Sequence, residues 1–339
     1  MSTKGYEEEV IQVAPERTNM RSVPTADEAI EQAKERKVSS LLGTCVSDDF
    51  GKEIPATQWL FEKLQLAQGL TILGAQSFTG KTIVSLDLAI AAATGKDALG
   101  GFSMGSDKPK RVLYLDYEQQ PDMLRQRIER LAHHRKLDLA ALKTNLRAYS
   151  FPKLYLNANT TEDELKSIFD GYDVVFIDTL RAAMPGVEEN DSGDVRGILD
   201  SLCRAATGRT IIATHHAGKL TREQKNDMRA YFRGSSGFLD ACDSAYVLAE
   251  VVMKRGGKRV PRTARFMHLK NRHIGGETIH PIFISFDDTE EKKGLSISWK
   301  EWAQVESEYN EHEFGEALGD AIPLPASKKT TTAKPFGDQ

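Results

Sequence analysis

Residues Gly74–Thr82 read GAQSFTGKT and follow directly on the apolar run LTIL, Leu70–Leu73. From Ala75 the stretch has the form A-x-x-x-x-G-K-T. This is the pattern of a loop that wraps its backbone N–H groups around phosphate oxygens. The nine residues Ala75, Gln76, Ser77, Phe78, Thr79, Gly80, Lys81, Thr82 and Ile83 are the candidate nucleotide contacts. Lys81 supplies a point charge for the β- and γ-phosphates, and the Thr82 hydroxyl is a ligand for Mg²⁺. Gly80 removes a side chain where backbone and phosphate must approach closely. The flanks fit. A short buried strand precedes the loop, and KTIVSLDLAIAAATG after it predicts a helix whose N-terminus faces the anion. Two features depart from the common pattern. The first position is Ala75 where Gly is frequent, and the interior QSFT lacks small residues.

Outward from this loop, strands and helices alternate from about Gly69 to Asp287, which predicts a parallel α/β sheet. In such sheets ligands bind beyond the carboxyl ends of the strands. Polar residues just after each apolar run are therefore the candidates for chemistry. RVLYLDYEQQ ends in Asp116 and Glu118, which share parity. A carboxylate near the γ-phosphate can orient water for in-line attack. Glu118, nearer the open end, is preferred over Asp116; the alternative is that both acids cap the helix opened by Pro121 and Asp122. YDVVFIDTL ends in Asp178, an acid costly to bury without a cation or donors. Holding Mg²⁺ through water beside Thr82 is its natural use. RTIIATHHAGK ends in Thr214, His215 and His216, any of which can report the γ-phosphate. Two adjacent histidines without a third ligand are a poor metal site.

The chain has 339 residues, 45 Lys plus Arg against 49 Asp plus Glu, and a net charge of −4. A nucleic-acid site must then be a local patch or channel rather than a basic coat. Cys45, Cys203 and Cys242 have no metal-like spacing, so free thiols in a reducing cytoplasm are expected. The N-terminus has no apolar signal region, and no apolar run approaches a membrane span. Residues 1–40 form a polar segment with one short helix, where Thr25 and Glu28 make a capping box. The core is expected over 41–312. Residues 313–339, rich in Pro, Ala, Thr and Lys, read as a disordered tail.

The motifs occur in a fixed order: AQSFTGKT (75–82), VLYLDYEQQPDMLRQRI (112–128), VVFIDTLRAAM (174–184), IIATHHAGK (211–219), FRGSSGFLDACDSAYVL (232–248) and LKNRHIGG (269–276). Over roughly residues 55–287 this order resembles the RecA-fold hexameric replicative helicases of the DnaB and plasmid RepA type. The resemblance implies a RecA-like P-loop ATPase core: a mostly parallel sheet flanked by helices, with antiparallel strands near its C-terminal end. It implies that ATP and Mg²⁺ are bound by Lys81 and Thr82, with Glu118 as catalytic base and Asp178 as the second magnesium group. His216 (or His215) becomes a sensor of the γ-phosphate. Lys270 and Arg272, which read from the residues alone as cations at a hairpin, would reach the ATP of a neighbouring subunit. A six-membered ring with single-stranded DNA in its channel follows, with replication proteins as further partners.

Two loops are candidates to line that channel. Arg181–Gly197 is acidic through Glu188, Glu189 and Asp191. Ala217–Phe232 carries Lys219, Arg222, Lys225 and Arg229, suited to a phosphate backbone. A third basic stretch, residues 253–265, reads as a hairpin about Gly256-Gly257. Two other functions keep the same motifs. One is a RecA-like protein that coats or remodels DNA, and the other is an ATP-dependent regulator or loader acting through protein partners.

Overall fold

The computed structural model describes residues 25, 28, 30, 34, 42, 45–54, 56–62, 64, 66–187, 192–217, 228–232, 236–250, 253–255, 258–260, 263–273, 282–287, 295–301 and 304. The chain divides into two units, Met1–Ala56 and Thr57–Gln339. In the first, the backbone N–H of Thr25 donates to the Glu28 carboxylate at 2.7 Å, and the N–H of Glu28 donates to the Thr25 hydroxyl at 3.3 Å. This is the reciprocal capping box that the spacing predicts. A 3₁₀ turn, Val46–Asp49, follows.

The second unit opens with a small antiparallel pair, β1 (Trp59–Phe61) and β2 (Leu66–Ala67). The phosphate-loop strand β3 (Gly69–Ala75) feeds helix α1 (Lys81–Thr94). Gly95 ends α1 at φ 67, its N–H donating to the Ala91 carbonyl, a left-handed stop that suits glycine. Next come β4 (Val112–Asp116), α2 (Pro121–His134), α3 (Leu139–Asn145), β5 (Leu146–Ser150) and α4 (Glu162–Ile168). They lead to β6 (Val174–Asp178), α5 (Leu180–Ala183), α6 (Ser192–Ala205) and β7 (Thr210–His216). A 3₁₀ turn, Met228–Phe232, and α7 (Ser236–Ala241) precede β8 (Ser244–Glu250). The last strands are β9 (Met253–Arg255), β10 (Lys258–Val260), β11 (Thr263–Asn271), β12 (Ile282–Asp287) and β13 (Ser296–Glu301).

Among the described residues, nine strands form one sheet in the order β13-β12-β11-β8-β3-β7-β6-β4-β5. From β5 through β8 neighbours are parallel, and β11, β12 and β13 continue antiparallel. Strands β4 and β6 are buried at every position, as expected where helices cover both faces. One face packs α1 and α2 through Leu86, Leu88, Ile90 and Leu124; the other packs α4 and α6 through Leu165, Ile198, Leu199 and Leu202. The phosphate-loop strand and the strand ending in Asp178 are separated by β7 alone. The sheet is mostly parallel, flanked by helices and extended by antiparallel C-terminal strands, the architecture that the motif order implies. The basic hairpin exists as β9 paired with β10, Arg255 opposite Lys258. Strands β1, β2, β5 and β13 have no counterpart in the sequence reading.

Candidate nucleotide site

Because β3, β4, β6 and β7 run parallel, their C-terminal residues share one edge of the sheet. In register, Asp116 is level with Asp178, and Ala75 with His216. A cavity of about 890 Å³ opens at this edge, within the range of small-molecule sites. Residues 77–83 of the loop and first helical turn line it, together with Glu118 and His216. Ala75 is fully buried as the last residue of β3, and Gln76 accepts from the Thr79 hydroxyl at 3.0 Å through its carbonyl. These two support the loop from behind. Gly80 caps α1 at φ 99, and a Cβ there would lie 2.6 Å from Phe286 Cζ. Phe78 stands at φ 65 with its side chain fully exposed at the cavity.

Three side chains from three strand ends meet. Lys81 Nζ lies 3.0 Å from His216 Nδ1, and His216 Nε2 lies 3.0 Å from Glu118 Oε1. An ammonium has donors alone, so Nδ1 accepts from Lys81, and Nε2–H donates to the carboxylate. The Thr179 hydroxyl adds a second donor to Glu118 at 3.1 Å. The hydrogen bond from His216 holds the Glu118 carboxyl below its ordinary range, against the opposing effect of burial. Burial lowers Lys81, with Asp178 and Glu118 pulling the other way.

Asp116 and Glu118 part company. Asp116 is fully buried and accepts from the N–H groups of Glu118 at 2.9 Å and Gln119 at 2.8 Å, and from the Gln119 amide. It caps the turn after β4, while Glu118 reaches the cavity. Asp178 accepts from the Tyr114 hydroxyl at 2.9 Å and from the Thr214 hydroxyl. Ser85 at 2.7 Å from the Tyr114 oxygen ties this pair to α1.

The two histidines also separate. His215 is buried with its ring 4.3 Å from that of Phe238, and burial lowers its pKa to about 4. It is a core residue, and His216 alone of the pair lines the cavity. Lys270 and Arg272 lie elsewhere. Asn271 is level with Ser244 and Thr71, at the opposite end of the sheet from Ala75. Four residues of strand put about 13 Å between those levels. Lys270 donates to the Leu239 and Asp240 carbonyls, and Arg272 to the Asp240 carbonyl at 2.6 Å, beside Asp243 at 3.3 Å.

Lys219, Arg222 and Lys225 fall outside the described residues, and Arg229 is exposed on the turn Met228–Phe232. The sequence reading missed Thr179, Tyr114, Arg127 and Phe286. Thr179 carried one signal: it directly follows Asp178 and caps α5, accepting from Ala182 N–H at 3.4 Å.

No curated protein sequence matches the chain. Among solved structures it is similar to the ATPase domain of another protein, with a TM-score of 0.46 at 17% identity, over 81% of this chain and 99% of that one. The model of the AAA domain family matches residues 35–222, more than half of the 339 residues. The chain belongs to the AAA domain family.

Proposed function

We propose that this AAA-type, RecA-like ATPase is a motor on single-stranded DNA, of the replicative helicase type, built as a ring of copies and working in the cytoplasm. The observation that carries the ATPase chemistry is the meeting of Lys81, His216 and Glu118 at one cavity. When ATP enters, the Lys81 ammonium turns from His216 Nδ1 to the phosphates. His216 is then free to sense the γ-phosphate while its Nε2–H still bears on Glu118. Glu118, ionised and steadied by Thr179, orients the attacking water. The donor set fits Mg²⁺ held mostly by phosphate and water. Thr82 offers a hydroxyl at the cavity, the Asp178 carboxylate is buried outside the cavity lining with a hydroxyl donor on each oxygen and would act on the ion through water, and the described residues hold no cluster of three acidic, His or Cys groups. Bound there, Mg²⁺ supplies charge neutralisation on the phosphates.

The DNA part rests on the motif order and on the basic set Lys219, Arg222, Lys225 and Arg229. No described helix is long and apolar enough to cross a membrane. Two measurements test the reading. Lys81→Ala abolishes nucleotide use, and Glu118→Gln keeps ATP binding but loses turnover by about 10²-fold or more. Single-stranded DNA raises ATP turnover in the parent, and ATP drives strand displacement on a forked duplex. DNA-stimulated turnover without displacement favours the coating or remodelling function; no stimulation favours the regulator or loader.

A further inference from the structure

Strand β5 stands last in the sheet order, and the chain that leaves it crosses the sheet end at which the nucleotide cavity opens. Phe151 N–H donates to the Asp116 carbonyl at 2.7 Å, and the Tyr117 hydroxyl donates to the Leu154 carbonyl at 2.6 Å. The Ser150 hydroxyl donates to the Gln119 carbonyl, and Leu156 N–H to the Ala183 carbonyl at 2.7 Å. The segment is thus fastened underneath to the turn that carries Glu118 and to α5. Its outer side has no such partners. Arg147, Tyr149, Phe151, Lys153 and Tyr155 are all exposed, whereas Ser150, Pro152 and Leu154 between the last four are half-buried. The three rings are 51%, 47% and 50% exposed. Phe151 stands at φ 49, a left-handed conformation that costs any residue but glycine, and its ring gains no burial in return. Among the described residues, no ion pair engages Arg147 or Lys153. No acid occurs between Leu146 and Asn157, in a chain whose net charge is −4.

We propose that Arg147–Tyr155 is a contact for single-stranded DNA, with bases stacked on Tyr149, Phe151 and Tyr155 and phosphates held by Arg147 and Lys153. This rests on the single-stranded DNA reading above and adds a contact apart from the basic set Lys219, Arg222, Lys225 and Arg229. Two cations and three rings alternate along one line, at every second residue. Unpaired bases need flat apolar faces, and the phosphates between them need cations; interleaving supplies both to one strand. A site for an apolar peptide would gain nothing from the two cations, and one for a basic peptide would be repelled by them. The hydrogen bonds underneath hold the backbone of the segment in place, so a strand binds rings whose backbone is already ordered.

The test is fluorescence anisotropy of a labelled oligothymidine titrated with full-length protein over a range of salt. The double variant Tyr149→Ala, Tyr155→Ala weakens binding by about twentyfold or more, as loss of two stacked bases requires. Tyr149→Phe with Tyr155→Phe stays within about twofold of the parent, because stacking needs the ring and not the hydroxyl. Phe151→Asn, a residue that accepts left-handed backbone, removes the third ring without new strain and weakens binding by about fivefold. Arg147→Ala with Lys153→Ala flattens the salt slope by about 1.4. ATP turnover without DNA stays near the parent's in all of them, which shows that the fold is kept. Unchanged affinity in the two ring-removing variants overturns the proposal, and so does a loss as large in the Phe pair. A changed native mass of the assembly with unchanged DNA affinity also overturns it, and makes the patch a contact between copies. If the parent binds the oligomer and loses it on neutralising Lys219, Arg222 and Lys225 but not on removing the rings, this contact alone fails. A parent that binds no single strand overturns both this contact and the motor reading.

Discussion

Asp116 and Asp178 stand level on adjacent strands at the edge where the nucleotide cavity opens. Burial, and then the charge of Asp178, push Asp116 up to about 6 from 3.8. The sign follows from linkage. The folded state holds this proton more tightly than the unfolded chain, so stability falls as pH rises from about 4 to about 6 and is level above that. The loss is on the order of 2–3 kcal/mol for a shift of that size. Asp116→Asn keeps an oxygen for the two backbone N–H groups. Its new amide can donate to Gln119 Oε1, which has no partner in the parent, once the Gln119 amide turns over. Urea midpoints at pH 4.5 and pH 7, without nucleotide, should therefore differ less in Asp116→Asn than in the parent. An unchanged difference would mean that Asp116 titrates normally. Parity along RVLYLDYEQQ gave both acids the same face, and position along the strand favoured Glu118, but that Asp116 is buried is something one sequence does not display. The same holds for His215 and His216: adjacent residues on a strand point to opposite faces, and pattern alone does not say which face is wet.

At the scale of elements, the phosphate loop is braced by a strand far away in sequence. Phe286 on β12 packs against Gly80, so the antiparallel end of the sheet forms part of the floor of the site. Phe286→Ala should cost about 3–5 kcal/mol in urea unfolding, as large-to-small core changes do, and weaken nucleotide binding by loosening the loop. Gly80→Ala should abolish binding, because the new methyl meets Phe286 and because φ 99 strains any side chain. The double variant separates these causes: binding stays lost if the backbone dominates, and returns if the clash does. No sequence pattern links residues 80 and 286. What the sequence displays well are the central strands, where burial on both faces writes a continuous apolar run, as in VLYLD and VVFID. Strand β5 has one buried residue in five, and LRAYS carries no such run. The contacts of Thr179 and Tyr114 were hidden for a related reason. Their partners, Glu118 and Asp178, lie 61 and 64 residues away.

The whole molecule sets Arg272 about one strand length from its own phosphate loop, which bears on assembly. A heterologous, head-to-tail contact can bring the Arg272 end of one copy to the loop end of the next, and such contacts close into rings when the rotation permits. Arg272 is half-exposed, anchored by the Asp240 carbonyl and Asp243. It is therefore held in place yet open to a neighbour. We propose that it completes the next copy's site, where a cation supplied in trans can raise phosphoryl transfer by about 10³–10⁵. Arg272→Ala should bind ATP and hydrolyse it poorly. Mixing decides between trans and surface roles. Lys81→Ala chains lack a working loop, and Arg272→Ala chains lack the finger, so each is nearly inactive alone. Where an Arg272→Ala chain receives the finger of a Lys81→Ala neighbour, loop and finger are both intact. ATP turnover should partly return. If assemblies proven by native mass measurement to contain both chains regain nothing in the Arg272 pair, the trans role fails. Arg272 is then a structural tie between β11 and Asp243.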